Sequence, residues 1–290
     1  MRLSLSVTNY SWPGGPGGLV TGLGEVVRAA DEGGLDTVWV ADHLLQADPF
    51  AGDATEMLEA YTTLGYLAAL TQRVRLGTMV TGVTFRPPSL LVKAVTTLDV
   101  LTGGRAWLGI GAGYHRDEAR AMDLPLPPTA ERFERLRETL LLALQMWSGS
   151  EAAFEGRHYR LEHPVNSPNS VSRPHPPILI GGTGERKTLR LVAEYADACN
   201  VFDIPDGGQT VRRKLDVLAR HCEAVGRSYD DIEKTIGTRL MPDESSEAFV
   251  KRCEGFATLG INHVGVIAAG PWTVEGVEVL AGAVPALSQL

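Results

Sequence analysis

The feature that most constrains the fold of this chain is a regular alternation of short apolar segments with longer amphipathic ones. Eight segments have the length and β-branched or apolar composition of buried strands: Leu3–Val7, Thr37–Val40, Val74–Thr81, Arg105–Ile110, Ile178–Gly181, Ala198–Phe202, Thr235–Leu240 and His263–Ala268. Helical patterns follow each of them: Leu19–Glu32, Glu56–Leu70, Ser89–Leu101, Thr129–Trp147, Glu185–Tyr195, Thr210–Val225, Ser245–Leu259 and Thr273–Val284. Such alternation requires parallel strands with right-handed crossovers, and eight repeats favour closure into a (β/α)8 TIM barrel.

Chain length, a helix-breaking proline and one long loop predict how the barrel is organised. The chain has 290 residues, close to the roughly 250 of a typical barrel, and we expect one domain over residues 1–290. We expect Pro285 to stop the last helix. One segment, Ser148–Pro177, interrupts the alternation of strands and helices. Within it, the sequence of Phe154–Leu161 predicts a small hairpin insertion. A loop of this length in a compact fold is usually functional or disordered.

Composition excludes several classes of function. The net charge is −8, from 27 Lys and Arg against 35 Asp and Glu, and no basic run occurs. These values argue against nucleic acid or an anionic membrane as a partner. The three cysteines are far apart and no metal-binding motif is present, so we expect neither a zinc site nor a disulfide framework. No signal peptide or membrane-spanning run is seen, which favours a cytoplasmic protein that acts on a small molecule.

The end of the fifth strand has the composition of an anion site. Glycine allows the backbone to approach a ligand closely, and the free N–H groups at a helix N-terminus attract anions. Here glycines and a threonine stand between a strand and a helix start: Gly181, Gly182, Thr183 and Gly184. Arg186, Lys187 and Thr188 add further donors. The alternative is a tight turn with a glycine cap.

Asp42 and His43 directly follow the second strand, at the face where barrels carry their active sites. A histidine there can exchange protons near neutral pH, and an adjacent carboxylate can bond a ligand. Because successive side chains diverge at a strand end, we expect Asp42 to bond a cofactor rather than to orient His43. An N-cap pair that starts the next loop is an equally supported alternative.

The fourth strand carries alternate glycines, Gly109, Gly111 and Gly113, which share one face. Their missing side chains would leave room for a flat ligand, or they would fill a tapered barrel interior. Three aromatic side chains, Trp12, Phe85 and Tyr114, lie at strand ends. They could form the wall of an apolar pocket or could equally be packing residues.

Three blocks in order resemble the luciferase-like monooxygenase superfamily, and most closely its branch that uses the deazaflavin coenzyme F420. The blocks are WVADHL, LGTMVTGVTFRPPSLLVKAVTTLDVLTGGRAWLGIGAGY and YRLEHPVNSPNSVSRPHPPILIGGTGERKTLRLVAEYADACNVF. The resemblance covers nearly the whole chain. It implies a barrel that holds the cofactor phosphate at Gly181–Gly184 and has Asp42 and His43 beside the ring, His43 being catalytic. It also implies a non-proline cis peptide at Met79–Val80 and a homodimer.

The remaining site residues are expected at the catalytic ends of the strands. Cofactor contacts are expected along the ends of the third and fourth strands, at Met79, Val80, Ala112, Gly113 and Tyr114. The substrate pocket is expected to include Trp12, Phe85 and Glu118. Sugar-phosphate dehydrogenases of this family have a catalytic Glu directly after the fourth-strand glycines, where this chain has Tyr114. That difference argues against a sugar-phosphate substrate.

The resulting hypothesis is an F420-dependent oxidoreductase that transfers a hydride to or from a small organic substrate. An FMN-dependent monooxygenase that uses reduced flavin and oxygen is the alternative, and the Asp42–His43 pair favours F420. A non-catalytic flavin-binding protein and a barrel lyase or isomerase are further alternatives. The phosphate loop and His43 argue against the former, and the absence of a lysine at a strand end argues against the latter.

Overall fold

A closed ring of parallel strands forms the centre of the protein, whose computed structural model describes residues 1–47 and 55–290. The strands are β1 (Arg2–Val7), β2 (Thr37–Val40), β3 (Arg75–Thr78), β4 (Thr81–Gly82), β5 (Leu108–Gly111), β6 (Phe154–Glu155), β7 (Arg160–Leu161), β8 (Ile178–Ile180), β9 (Ala198–Phe202), β10 (Glu233–Arg239) and β11 (His263–Ile267). The main sheet has the order β3-β2-β1-β11-β10-β9-β8-β5-β4. Its two ends, β3 and β4, are halves of one barrel strand, and Leu76 also pairs with Ala106 next to β5. The ring therefore closes with eight strands, which confirms the predicted TIM barrel.

Helices cover the outside of the ring. They are α1 (Gly15–Glu32), α2 (Ala60–Leu70), α3 (Pro88–Thr102), α4 (Arg116–Ala121), α5 (Thr129–Trp147), α6 (Thr188–Tyr195), α7 (Gln209–Val225), α8 (Ser246–Ala257) and α9 (Val274–Leu287). The prediction that Pro285 stops the last helix was wrong, because α9 continues to Leu287. Proline in the last turn removes only one backbone bond. Burial of Leu287, whose carbonyl accepts a bond from the Met1 amino group, holds that turn in place.

Two apolar clusters lie on opposite sides of the strands. The larger one fills the space between the strands and the helices and includes Val38 and Val40 of β2. Since successive strand side chains alternate in direction, Trp39 between them points into the barrel. There it belongs to a smaller cluster with Trp107, against which Met79 and Val80 pack. The interior of the barrel is thus filled below the level of Met79 and Val80.

The alternate glycines of the fourth barrel strand have a structural explanation at Gly109. A Cβ atom on Gly109 would lie 1.7 Å from the backbone oxygen of Thr78, so no side chain fits there. Close approach of β3 and β5, rather than space for a flat ligand, therefore requires this glycine. Gly113 is needed for its backbone, with φ of 72°. The cis peptide predicted at Met79–Val80 is present.

The insertion between α5 and β8 contains the predicted hairpin, formed by β6 and β7. It joins the end of a helix to the start of a strand, so both its ends lie at the N-terminal edge of the barrel. Glu138 of α5 accepts bonds from the backbone N–H groups of residues 157–159. Asp99 of α3 accepts bonds from Val171 and Ser172. The insertion is therefore fixed to the outer helices, away from the catalytic edge.

Candidate active site

A cavity of about 810 Å³ opens at the C-terminal ends of the strands, which is where barrel enzymes bind their ligands. It brings together twelve of the predicted site residues. They are Asp42, His43, Met79, Val80, Phe85, Ala112, Gly113, Tyr114, Gly181, Gly182, Thr183 and Gly184. These residues come from the ends of four barrel strands, and closure of the barrel places them around a single cavity.

Two predicted pocket residues, Trp12 and Glu118, are not part of the cavity wall. The indole N–H of Trp12 donates to the carbonyl oxygen of Trp272 at 2.8 Å. Its ring lies so close to Gly22 of α1 that a Cβ there would be 2.4 Å away. Trp12 thus packs α1 against the chain near α9. Glu118 lies just behind the wall and reaches His43.

His43 is held by the buried carboxylate of Glu118. The Nδ1 atom of His43 lies 2.7 Å from Oε2 of Glu118, whose side chain is only 1% exposed. The other carboxylate oxygen accepts the backbone N–H groups of Leu44 at 2.6 Å and Leu45 at 3.1 Å. Nδ1 therefore carries the proton and donates it to Glu118, which leaves Nε2 as the nitrogen that can exchange a proton with a ligand.

The charge of Glu118 is set by two opposing effects. Burial by itself would raise the pKa of this carboxyl group. The hydrogen bonds from His43, Leu44 and Leu45 outweigh burial, so the pKa of Glu118 lies below its usual value. Glu118 is therefore a carboxylate at neutral pH, and it stabilises a positive charge on His43. This pair cannot be predicted from the sequence, because its members are 75 residues apart and no local pattern indicates α4, which carries Glu118.

Asp42 takes part in a buried ion pair that sequence reasoning missed. Its side chain is fully buried, and its two oxygens accept bonds from Arg86 at 2.5 and 3.0 Å. Arg86 also pairs with Glu59 and lies 4.7 Å above the ring of Tyr61. Asp42 does not orient His43, as expected, while a bond from Asp42 to a cofactor stays a prediction.

Three aromatic rings surround His43 edge-on. The centroids of Phe85, Tyr114 and His115 lie 6.4, 5.8 and 5.7 Å from the centroid of His43. The Nδ1 atom of His115 accepts the backbone N–H of Glu118 at 3.1 Å, so neutral His115 carries its proton on Nε2. Any group next to the Nε2 atom of His43 therefore lies beside aromatic surfaces.

The loop between β8 and α6 forms one end of the cavity. The helix starts at Thr188 rather than at the predicted Glu185, and no side chain caps its N-terminus. Gly182 has φ of 103°, a left-handed conformation that favours glycine. The predicted donor Lys187 is not part of the cavity wall, and its ammonium group lies 5.4 Å from the ring centroid of Phe133. The backbone of this loop, rather than its basic side chains, faces the cavity.

Arg132 of α5 supplies a positive charge at this end of the cavity. Its side chain is 92% buried and donates to Thr129 at 2.9 Å and to the carbonyl oxygen of Gly113. Its Nε atom is buried without a partner, and none of the described acidic residues pairs with it. Burial first, and then the charge of nearby Arg116, lower the pKa of Arg132. Arg116 and Arg132 both line the cavity, and guanidinium groups are well suited to bind an anionic group.

No group of three or more His, Cys, Asp or Glu side chains in residues 1–47 and 55–290 is arranged to hold a metal ion. Within the same ranges no helix is both long enough and apolar enough to cross a membrane. Cys199, Cys222 and Cys253 are free and buried.

Comparisons with known proteins agree with this architecture. The family model of luciferase-like monooxygenases matches residues 1–271. An F420-dependent glucose-6-phosphate dehydrogenase of Kineococcus radiotolerans is 34% identical over 248 residues, covering 82% of this chain and 69% of the relative. One from Amycolatopsis mediterranei is 30% identical over 249 residues, covering 83% and 71%.

Solved structures share the fold across the full length. An F420-dependent secondary alcohol dehydrogenase in complex with an F420–acetone adduct superimposes with a TM-score of 0.83 at 17% identity, covering 99% of this chain and 98% of the other. The coenzyme F420-dependent tetrahydromethanopterin reductase of Methanopyrus kandleri gives 0.80 at 16% identity, covering 99% of both. At such identities the likeness establishes the barrel and nothing further.

Proposed function

The chain belongs to the luciferase-like monooxygenase family, and we propose that it is an oxidoreductase that transfers a hydride between coenzyme F420 and a small organic substrate. Relatives at 30 and 34% identity are named F420-dependent dehydrogenases. The observation that carries the proposal is the pairing of His43 with Glu118 at a cavity that Arg132 and Gly181–Gly184 also line. These residues support a proton-transfer role for His43 and a phosphate anchor in the same cavity.

The residues present fit a phosphate-bearing cofactor. The buried Nε atom of Arg132 lacks a partner, and no side chain caps the start of α6. We assign the phosphate to these groups and to Gly181–Gly184. Met79, Val80, Ala112, Gly113 and Tyr114 would hold the ring, with Asp42 at its edge. When bound, the deazaflavin supplies a ring carbon that accepts or donates a hydride.

The role of the protein in the reaction is to orient the substrate and to move one proton. In the direction of oxidation, Nε2 of His43 accepts the proton of a substrate hydroxyl group, and in reduction it returns that proton. The carboxylate of Glu118 fixes the tautomer and stabilises the imidazolium ion that forms, as the acid does in other His–carboxylate pairs. A positioned base of this kind contributes roughly 10²–10⁴-fold to the rate.

The test of this function is direct binding of the two candidate cofactors. We expect anaerobic titration to give a lower Kd for F420 than for FMN. Arg132→Gln should raise the Kd for F420 by about 10-fold or more, since a hydrogen bond to a charged group contributes about 1.5–3 kcal/mol. Arg137→Gln is the matched control, because Arg137 lies on the same helix but pairs with Glu194.

Two outcomes would contradict the proposal. Tighter binding of FMN than of F420 would favour the flavin monooxygenase. An unchanged Kd for F420 in Arg132→Gln, with a native circular dichroism spectrum, would show that the cofactor phosphate does not bind at Arg132.

Assembly and location are part of the same proposal. We propose that residues 1–290 form one domain, that two copies form a homodimer and that the protein is cytoplasmic. Family resemblance supports the dimer, and α3 exposes Leu90 and Leu101 at 56 and 73%. The free cysteines fit a reducing compartment. Light scattering at working concentration measures the mass, and a monomer would contradict the dimer.

A further inference from the structure

The surroundings of His43 decide what kind of molecule can react there. If Nε2 of His43 exchanges the proton, the reacting oxygen must lie within hydrogen-bond reach of it. Phe85, Tyr114 and His115 lie within 6.4 Å of the His43 ring, centroid to centroid. The groups attached to the reacting carbon therefore meet ring surfaces rather than ions.

Large apolar side chains are exposed at the same end of the barrel. Tyr114 and Phe202 form part of the cavity wall and are 67 and 52% exposed. Leu45, Ile204 and Met241, on the loops that follow β2, β9 and β10, are exposed as well. Single exposed apolar residues are ordinary, but a cluster around one cavity marks a binding site. Tyr114 and Phe202 line the same cavity as His43, so an apolar group that packs against them lies in the space where the proposed reaction takes place.

The charges near His43 do not favour an anionic substrate. Arg86 is 14% exposed and already pairs with Asp42 and Glu59. Arg132 bonds the carbonyl oxygen of Gly113 at the anion end, where we place the cofactor phosphate. Arg239 lines another part of the cavity and donates to the carbonyl oxygen of Ala268 at 3.1 Å. Each of these three guanidinium groups already has a hydrogen-bond partner within the protein.

We propose that the substrate is an uncharged alcohol or carbonyl compound with a ring or similar bulky apolar group, which packs against Tyr114 and Phe202. This proposal rests on the proposed function. In the oxidative direction the hydride leaves the carbinol carbon for oxidised F420, and the hydroxyl proton goes to Nε2 of His43. The C–O single bond becomes a carbonyl group, so the alcohol is oxidised by two electrons and the cofactor is reduced by two.

The test compares alcohols that differ in one group. 1-Phenylethanol, mandelate, 2-propanol and glucose 6-phosphate are each supplied with oxidised F420, and acetophenone is supplied with reduced F420. We expect kcat/KM for 1-phenylethanol to exceed that for mandelate, which carries a carboxylate in place of the methyl group, by at least ~10-fold. It should exceed that for 2-propanol by a similar factor, since burial of a phenyl group contributes about 1.5–3 kcal/mol.

Variants locate the apolar surface. Phe202→Ala should raise KM for 1-phenylethanol several-fold and leave kcat/KM for 2-propanol nearly unchanged. Tyr114→Ala should also raise KM for 1-phenylethanol several-fold, while Tyr114→Phe, which keeps the ring, should leave that KM close to its original value. Val225→Ala, at the exposed C-terminal end of α7 and away from the cavity, is the control. Because Tyr114 is also a candidate cofactor contact, the Kd for F420 is measured for each variant.

The outcomes separate this proposal from the proposed function. Binding of F420 together with preference for mandelate or glucose 6-phosphate would overturn the substrate class and leave the function intact. Binding of F420 with no reaction of either neutral alcohol or of acetophenone would also overturn it. Failure to bind F420 would overturn the function itself, and with it this inference.

Discussion

The imidazole of His43 is the group on which the proposed chemistry depends. We expect His43→Ala to lower kcat at least ~10-fold and to change the Kd for F420 little, because the proton transfer is lost while the cofactor contacts remain. Kinetics with saturating cofactor, together with titration of F420, measure the two effects separately. A lower affinity with unchanged kcat would show that His43 only packs against the ring, and Tyr114 would then be tested as the proton donor.

We expect Glu118 to act in the reaction only by orienting His43. Replacement of its carboxylate by an amide in Glu118→Gln tests this. In Glu118→Gln the amide NH₂ can donate to Nδ1 of His43 and so place the imidazole proton on Nε2, the tautomer that cannot accept a proton from an alcohol. We expect kcat for alcohol oxidation to fall at least ~10-fold. The double variant with His43→Ala should be no slower than His43→Ala alone, since residues that act as one unit are not additive. Additive losses would indicate an independent role for Glu118.

Among the helices and strands, α1 and β3 are joined by one buried acid. The carboxylate of Asp31, at the end of α1, accepts the backbone N–H groups of Gln72, Arg73 and Val74 at 2.7–3.2 Å. Burial alone would raise the pKa of Asp31, but these bonds outweigh it and the pKa lies below its usual value. A lowered pKa stabilises the fold above the unfolded value of about 3.9, and this contribution is lost as the pH falls through the folded-state pKa.

Asp31→Asn should therefore lower the free energy of unfolding by about 1.5–3 kcal/mol at pH 7. The difference from the unmodified protein should shrink as the pH falls below about 4. Urea unfolding at several pH values measures it, with the exposed Asp216→Asn as a control that should change little. A difference that stays constant with pH would mean that the charge of Asp31 is not involved.

The helices show what local patterns can predict and what they cannot. Apolar spacing located α5 from Thr129 to Trp147 as the structure has it. The predicted start of α6 at Glu185 is three residues too early. Residues 185–187 are compatible with a helix, but in the structure they still belong to the loop next to the cavity. The short helix α4 has no apolar periodicity of its own, and it is held by the contact of Glu118 with His43 and the following backbone. Contacts between residues far apart in the sequence cannot be predicted from a short sequence segment.

For the molecule as a whole, closure of the barrel depends on the absence of a side chain at Gly109. A methyl group there would meet the backbone oxygen of Thr78 at 1.7 Å and push β3 away from β5. We expect Gly109→Ala to cost about 3 kcal/mol or more, at the upper end of overpacking effects. Gly65→Ala is the control, since no atom outside the local backbone of α2 lies within 4 Å of its Cβ position and alanine favours a helix by about 0.5–1 kcal/mol. The urea midpoints of the two variants measure the difference in stability. Equal midpoints would show that β3 and β5 can move apart without destabilising the fold.

Sequence reasoning at this scale located the cavity because a barrel brings the ends of all its strands to one edge. His43 and Gly182 could be chosen from their positions along the chain once the strands were counted. The partner of His43, the ion pair of Asp42 with Arg86 and the orphan Nε atom of Arg132 could not. Each depends on a contact between distant segments, and no residue spacing encodes such a contact.

The filled barrel interior has a kinetic consequence. Trp39, Trp107 and the residues packed against them fill the barrel interior beneath the cavity, so we expect F420 and substrate to enter and leave at the C-terminal edge of the strands. If the ring rests against Met79 and Val80, the substrate covers it from the side of the solvent. The cofactor must then bind first and leave last, and an excess of substrate slows turnover by trapping the spent cofactor beneath it.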